Sequence, residues 1–191
     1  MKMKSVTRKI TLSGFRPIMF DRYPGDNKTE LRPDQKMYLK EDGTIYLPAL
    51  NIVSLLTAQN TSSAPKRFMD SRKYKVTAGG ILSFTVISPD EIPFTRDGKE
   101  IVFEGFDSNE VCKRSGVYIR HDVARLDKGI PNPKVRPILP SPWELNFELK
   151  YFDNSEVSEE LVHNLLEKAG IAIGLGTFRG VFGKFEVSKW E

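Results

Sequence analysis

The sequence predicts an α+β fold, an antiparallel sheet with helices packed on one of its faces. Three observations carry this. Ser5–Leu12 and Trp143–Phe152 alternate apolar and polar residues with a period of two. Two well-separated segments, 49–58 and 155–168, place apolar residues at helical spacing. Between them, glycines and prolines punctuate a β-rich middle in which no strand–helix alternation is visible. Strand, helix and strand, repeated with decoration, is compatible with a ferredoxin-like core.

The first strand puts Val6, Ile10 and Leu12 on one face and Thr7, Lys9 and Thr11 on the other, with Arg8 a blemish on the apolar side. Residues 14–42 form a long polar loop with Pro17, Pro24, Gly25 and Pro33, and a loop of this length is usually functional. Asp42-Gly43 turns into a short strand, Thr44–Leu47, and Pro48 opens a helix from Ala49 to about Ala58, with Ile52, Leu55 and Leu56 inward. The middle, about 76–140, reads as a β-rich insertion. Its strands are expected at Ile81–Ser88, Lys99–Phe106, Val111–Arg114 and Val117–Arg125, with Ser115-Gly116 at a hairpin tip. Pro131, Pro133, Pro137, Pro140 and Pro142 predict an extended linker. Trp143 to Tyr151 then forms a strand. Asn154 or Ser155 caps a helix running to about Lys168, Gly170 closes it, and a last strand ends near Trp190.

With 191 residues the chain is expected to form a single domain spanning 1–191. Hydrophobic residues at 39% and charged residues at 28% exclude a disordered chain. The net charge of +4 permits a polyanionic partner without requiring one. A lone cysteine, Cys112, excludes a disulfide scaffold, and with two histidines it cannot build a Cys/His zinc site, so no metal or other cofactor is expected. No apolar run reaches the roughly 18 residues of a membrane helix. The lysine-rich start has no apolar stretch and is not read as a signal peptide, so a cytoplasmic protein is expected.

The sharpest local feature is the segment 174–185, with Gly174, Gly176, Gly180 and Gly183 interleaved with Phe178, Arg179, Phe182, Lys184 and Phe185. Glycine allows positive φ and close backbone approach, and an arginine among glycines offers a planar fork to a phosphate. The three phenylalanines are expected to pack inward and Arg179 to point outward. The order is neither a Walker loop nor a dinucleotide fingerprint, because the helix precedes the glycines. A tight turn feeding an edge strand is the plainer reading of the same residues.

Basic residues interleaved with aromatics form the second candidate. Lys66, Arg67, Arg72 and Lys73 surround Phe68 and Tyr74; Arg114, Arg120, His121, Arg125, Lys128, Lys134 and Arg136 accompany Tyr118, against Asp122 and Asp127. Cations that follow phosphates and rings that stack on bases suit single-stranded nucleic acid, RNA or DNA. Acidic residues gather on or near the last helix, at Asp153, Glu156, Glu159, Glu160 and Glu167. Catalytic candidates are thin: His121 and His163 are the only histidines, and a lone histidine in a strand, such as His121, is more often structural.

The run from Leu161 through Gly170 and Gly174-Leu175-Gly176 to Arg179-Gly180-Val181-Phe182-Gly183-Lys184-Phe185 resembles the terminal helix, glycine-rich loop and closing strand of the RAMP superfamily, the ferredoxin-like RNA-binding proteins of CRISPR effector complexes. Tyr46-Leu47-Pro48-Ala49-Leu50-Asn51 resembles that family's entry to its first helix, although its usual glycine-serine run is replaced. The likeness covers residues 44–68 and 143–190 and is greatest to the effector backbone subunits and related phage-encoded proteins. It implies a non-catalytic RNA-binding protein, with self-association or other CRISPR effector subunits as partners. The alternatives are a phage protein that mimics or blocks such a subunit, and a metal-independent endoribonuclease, for which the resemblance implies His121 as general acid–base or one loop aspartate among Asp21, Asp26 and Asp34.

Overall fold

The computed structural model describes residues 4–26, 28–58, 63–125, 129, 131–152, 154 and 156–191, with the backbone alone at 124 and 125. The main sheet is built around β1 (Ser5–Gly14) and β9 (Trp143–Phe152), which pair antiparallel from Ser5↔Phe152 to Gly14↔Trp143. On the far side of β1 lies β10 (Phe185–Trp190), paired through a bulge between Thr11 and Leu12. On the far side of β9 lie β4 (Thr85–Ser88) and β5 (Glu91–Arg96), end to end along the same partner. β3 (Tyr46–Pro48) and β6 (Lys99–Glu100) extend the sheet from β5.

The helices are α1 (Ala49–Thr57), α2 (Ala64–Phe68), α3 (Tyr74–Phe84) and α4 (Glu159–Ala172). Taking β4 and β5 as one broken strand, β10-β1-β9-β5 with α1 and α4 as connections is the ferredoxin-like arrangement. The period-two reading of β9 holds at every position: Trp143, Leu145, Phe147, Leu149 and Tyr151 are buried, and Asn146, Glu148 and Lys150 are exposed. Those buried side chains meet Ile52, Leu55, Leu165 and Leu166 of the helices in one core. Trp143 packs edge-on against Phe94, with ring centroids 5.5 Å apart, and its indole N–H donates to the Arg16 carbonyl at 2.9 Å. No helix among the described residues is long and apolar enough to cross a membrane.

A smaller sheet joins β2 (Ile18–Met19), β8 (Pro131–Leu139) and β7 (Tyr118–Arg125). Here the structure corrects the sequence. The proline-rich segment is a nine-residue strand and not a linker. Pro131, Pro133 and Pro137 occupy alternate positions, so all three present the same edge, and Pro137 O on that edge accepts from Phe20 N, away from β7. The missing N–H groups therefore cost the β7–β8 ladder nothing.

Other expectations shift. The β-rich insertion begins later than 76, because residues 74–84 are helical; Thr77, Ala78, Gly80 and Ile81 bury one face of α3, and the strand expected at Ile81–Ser88 keeps only its second half. Lys99–Phe106 shrinks to β6 and an isolated bridge, Thr44↔Val102, while Val111–Arg114 retains only the bridge Val111↔Tyr118. The turn at Ser115-Gly116 holds, with Gly116 N donating to Cys112 O at 2.8 Å. The hairpin β5–β6, turning at Asp97-Gly98 with φ of 52° and 72°, was not anticipated. The α4 cap is Ser158, whose hydroxyl accepts from Leu161 N; Asn154 caps the preceding turn, and Ser155 lies outside the described residues. Gly170 is not the end of α4. It lies within the helix, and glycine is required there because a Cβ would stand 2.3 Å from the Phe185 carbonyl oxygen.

Candidate nucleic-acid interface

Arg8, the blemish on the first strand, has a partner. Its guanidinium grips Glu159 at the start of α4 through two bonds, 2.6 and 2.9 Å, and Tyr151 Oη and Trp190 Nε1 donate to the same carboxylate. These donors, Arg8 first, hold the Glu159 carboxyl down to about 2. This cluster is closed: every group in it is answered by another.

The segment after α4 has a different character. It is a tight loop held from within and from behind. Leu175 N donates to Gly183 O, Gly180 N to Ile173 O, Thr177 N to Met19 O, and Gly183 N to Pro17 O. Gly174, Gly176, Gly180 and Gly183 all have positive φ, between 67° and 90°. At Gly183 a Cβ would stand 2.0 Å from the Leu175 carbonyl oxygen, so the loop can close only on glycine. At Gly180 there is open space, and only the φ of 90° selects glycine.

The side chains depart from expectation at two points. Phe182 and Phe185 pack inward, but Phe178 is 58% exposed, on a backbone with φ of 53° that phenylalanine rarely adopts. Arg179 does not stand free: it is half-buried, its Nε donates to Gly176 O at 3.3 Å, and burial pushes its pKa down from the ordinary guanidinium range. An arginine keeps its charge in such a setting. Lys184 is half-buried, and its carbonyl accepts from the backbone N–H groups of Phe15 and Arg16. Phe15 is 49% exposed, Arg16 is exposed, and Arg16 has no acidic partner among the described residues. Phe15 and Arg16 are candidate interface residues that the sequence reading did not single out, and Phe178 becomes one by its exposure. An Phe-Arg pair directly after Gly14 at a strand end was the available signal.

The structure brings the β7–β8 hairpin to this loop. The Arg120 guanidinium lies over the Phe182 ring at 5.5 Å, and Tyr118 packs on the small cluster of Met19, Ile138 and Phe182. The other hairpin candidates are partly consumed. Arg114 pairs with Glu104, Arg120 also binds Asp122 at 2.8 Å, and the exposed His121 ring meets Glu110 at 2.7 Å. The side chain of Arg125, like Asp127, Lys128 and Asp153, lies outside the described residues. Lys66 and Arg67 on α2, with Arg72 and Lys73 before α3, are exposed but belong to the helical layer. They are not assembled with the hairpin and the glycine loop.

The three loop aspartates do not converge. Asp21 accepts from Arg136 at 2.8 Å; Asp34 pairs with Arg32 at 3.0 Å. Asp26 accepts from the Thr29 hydroxyl and from the backbone N–H groups of Thr29 and Lys28, which holds its carboxyl below the usual range. No group of three or more His, Cys, Asp or Glu side chains able to hold a metal ion is found among the described residues.

No protein-family model matches the sequence, and no curated protein is significantly similar to it. Among solved structures, a chain in the cryo-EM structure of the Type III-B Cmr-beta complex bound to cognate target RNA superposes with a TM-score of 0.60 at 14% sequence identity. The match covers 98% of this chain and 60% of that one. At this identity the likeness is one of fold.

Proposed function

We propose that this protein binds single-stranded RNA without cleaving it, as a subunit of a CRISPR effector assembly, and that the strand lies across the end of the molecule formed by the glycine-rich loop, Phe15-Arg16 and Arg120. One observation carries the reading: backbone hydrogen bonds join Phe15 and Arg16 to Lys184, and Arg179 follows the exposed ring of Phe178 in a loop whose sequence from 174 to 185 contains no acidic residue. Cations can follow the phosphates of a strand, and an exposed ring in the same loop offers a stacking face to a base. The RNA-bound state of the structural neighbour supports the same reading. The paired states of Asp21, Asp34 and His121 favour binding over catalysis.

Fluorescence anisotropy with a labelled single-stranded RNA, titrated at several salt concentrations, tests it. Four phosphate contacts, from Arg16, Arg120, Arg179 and Lys184, give an expected log–log slope of about −2.8. Affinity that is flat in salt, or absent at low salt, overturns the proposal. A matched DNA strand bound equally well would show that the 2′-hydroxyl is not read.

A further inference from the structure

A second cationic feature lies on the hairpin face that Arg120 shares. Between the long loop and β8 is a cavity of about 490 Å³, lined by Asp21, Arg22, Lys28, Glu30, Lys36 and Lys134 among others. Its floor is built. Lys36 is 6% exposed, its Nζ donates to the Val135 carbonyl at 2.7 Å and stands 3.9 Å from Asp21, and Asp21 is already engaged by Arg136. One carboxylate thus answers two cations at the floor. An ammonium has three donors, and burying it is costly unless they are used. At the rim, Lys28 and Lys134 form no salt bridge among the described residues; Glu30 lines the same cavity, Asp122 lies opposite Lys134 across the hairpin, and Asp26 accepts from the Lys28 backbone N–H.

Register ties the cavity to the interface. Arg136 lies directly opposite Arg120 across the hairpin, and Lys134 opposite Asp122. Directly opposed residues share a face, and a two-residue step along a strand is roughly 6.6 Å. One face of the hairpin therefore carries Arg120 onto the glycine loop and Lys134 into the cavity.

We infer that this cavity binds a phosphate diester of the RNA strand, extending the path from the glycine-rich loop along the hairpin; this rests on the RNA-binding reading above. Compact ammonium groups meet phosphate as point charges, which suits a floor and rim built mainly of lysines. The reading excludes a catalytic role for Asp21, whose carboxylate is spent in organising the floor.

The test uses amide NMR spectra of the whole protein with two probes: UpU, which offers only a diester, and UMP, which offers only a monoester. UpU is expected to shift amides at 28–36 and 132–135, and Lys28→Gln with Lys134→Gln is expected to abolish those shifts while leaving the rest of the spectrum in place. If the cavity is occupied as well, Lys28 and Lys134 add two contacts to the four of the loop and the wild-type slope steepens to about −4.2, which the same double variant should return to about −2.8. Shifts by UMP alone would make this a free-nucleotide site and overturn the strand assignment. No shift with either probe, or an unchanged slope and affinity in the double variant, overturns the cavity proposal while the glycine-loop interface stands. Should the wild-type protein fail to bind RNA, the loop interface falls, and the UpU shifts alone decide the cavity.

Discussion

The two ends of α4 use the same materials to opposite effect. At its N-terminus, Arg8, Tyr151 and Trp190 converge on Glu159, and a carboxylate in the first turn also complements the helix dipole. At its C-terminus, Arg179, Phe178, Phe182 and Arg120 gather around a loop of glycines that has no carboxylate within it. An arginine beside aromatic rings fastens strand to helix in the first case. In the second the arginine donates to the backbone carbonyl of Gly176. The difference lies in what meets the arginine, a carboxylate at one end and a backbone carbonyl at the other, and composition does not report that.

The comparison is broken most severely by Gly183→Val. The new side chain meets the Leu175 carbonyl, which is backbone and held by the loop's own hydrogen bonds. A loss of about 3–5 kcal/mol is expected, from overpacking and φ strain together, measured by chemical denaturation. Gly180→Val is the control: its site is open, so only the φ strain of about 1–3 kcal/mol applies. Equal losses in the two variants would show that close approach is not what selects glycine at 183.

Arg179→Ala comes next and separates binding from folding. RNA affinity is expected to fall about tenfold, since a hydrogen bond to a charged group contributes roughly 1.5–3 kcal/mol. Because Arg179 is half-buried, a small loss of thermal stability should accompany it. If the variant unfolds while affinity per folded molecule is retained, the loop end resembles the closed end, and the contrast disappears.

Glu159→Gln tests the closed end. The folded pKa of about 2 lies below the ordinary glutamate value near 4.3, so the unfolded state takes up the proton first as pH falls. The stability due to this carboxylate is complete above about pH 4.3 and is lost as pH falls toward 2. With a third of the side chain exposed, screening limits it to about 1 kcal/mol. Thermal melts should show Glu159→Gln less stable than wild type at neutral pH and equal to it at pH near 2. RNA affinity should not change. A gap that persists at acid pH would mean that shape and not charge holds this cluster.

The smallest effect is expected from His121→Ala. The ring is exposed and pairs with Glu110 on the hairpin surface, so folding and RNA binding should both be nearly unchanged. Loss of an RNA-cleaving activity on this substitution would replace the binding reading with a nuclease.

Much of the architecture was legible in the chain. The alternation in β9 and the Ile52, Leu55, Leu56 stripe of α1 state which face is inward, because a period of two or 3.6 leaves no other way to bury them. The glycine run announced a loop that closes on itself. The Asp97-Gly98 signal of the β5–β6 hairpin was present too, but passed over. The strand content of 131–139 was not legible, because whether a proline disrupts a strand depends on which edge its nitrogen faces, and that edge is defined only by the neighbouring strand. The helix at 74–84 was hidden likewise: its glycines and β-branched residues favour other states in isolation, and its buried face exists only in the fold, against α1, α2 and the turn at Glu156-Val157.

The candidate site divides along the same line. Sequence alone determined that arginine, lysine and phenylalanine stand among glycines that require positive φ, since those are properties of single residues and their neighbours. Only the tertiary structure decided which cations remain available. It paired Arg8 with Glu159, Arg114 with Glu104 and Asp21 with Arg136 across 151, 10 and 115 residues of chain, and it brought Arg120 onto Phe182 and Arg16 beside Lys184. Charge pairing acts over a few ångströms of space and is indifferent to distance along the chain, so a count of basic residues marks candidates while the fold selects among them.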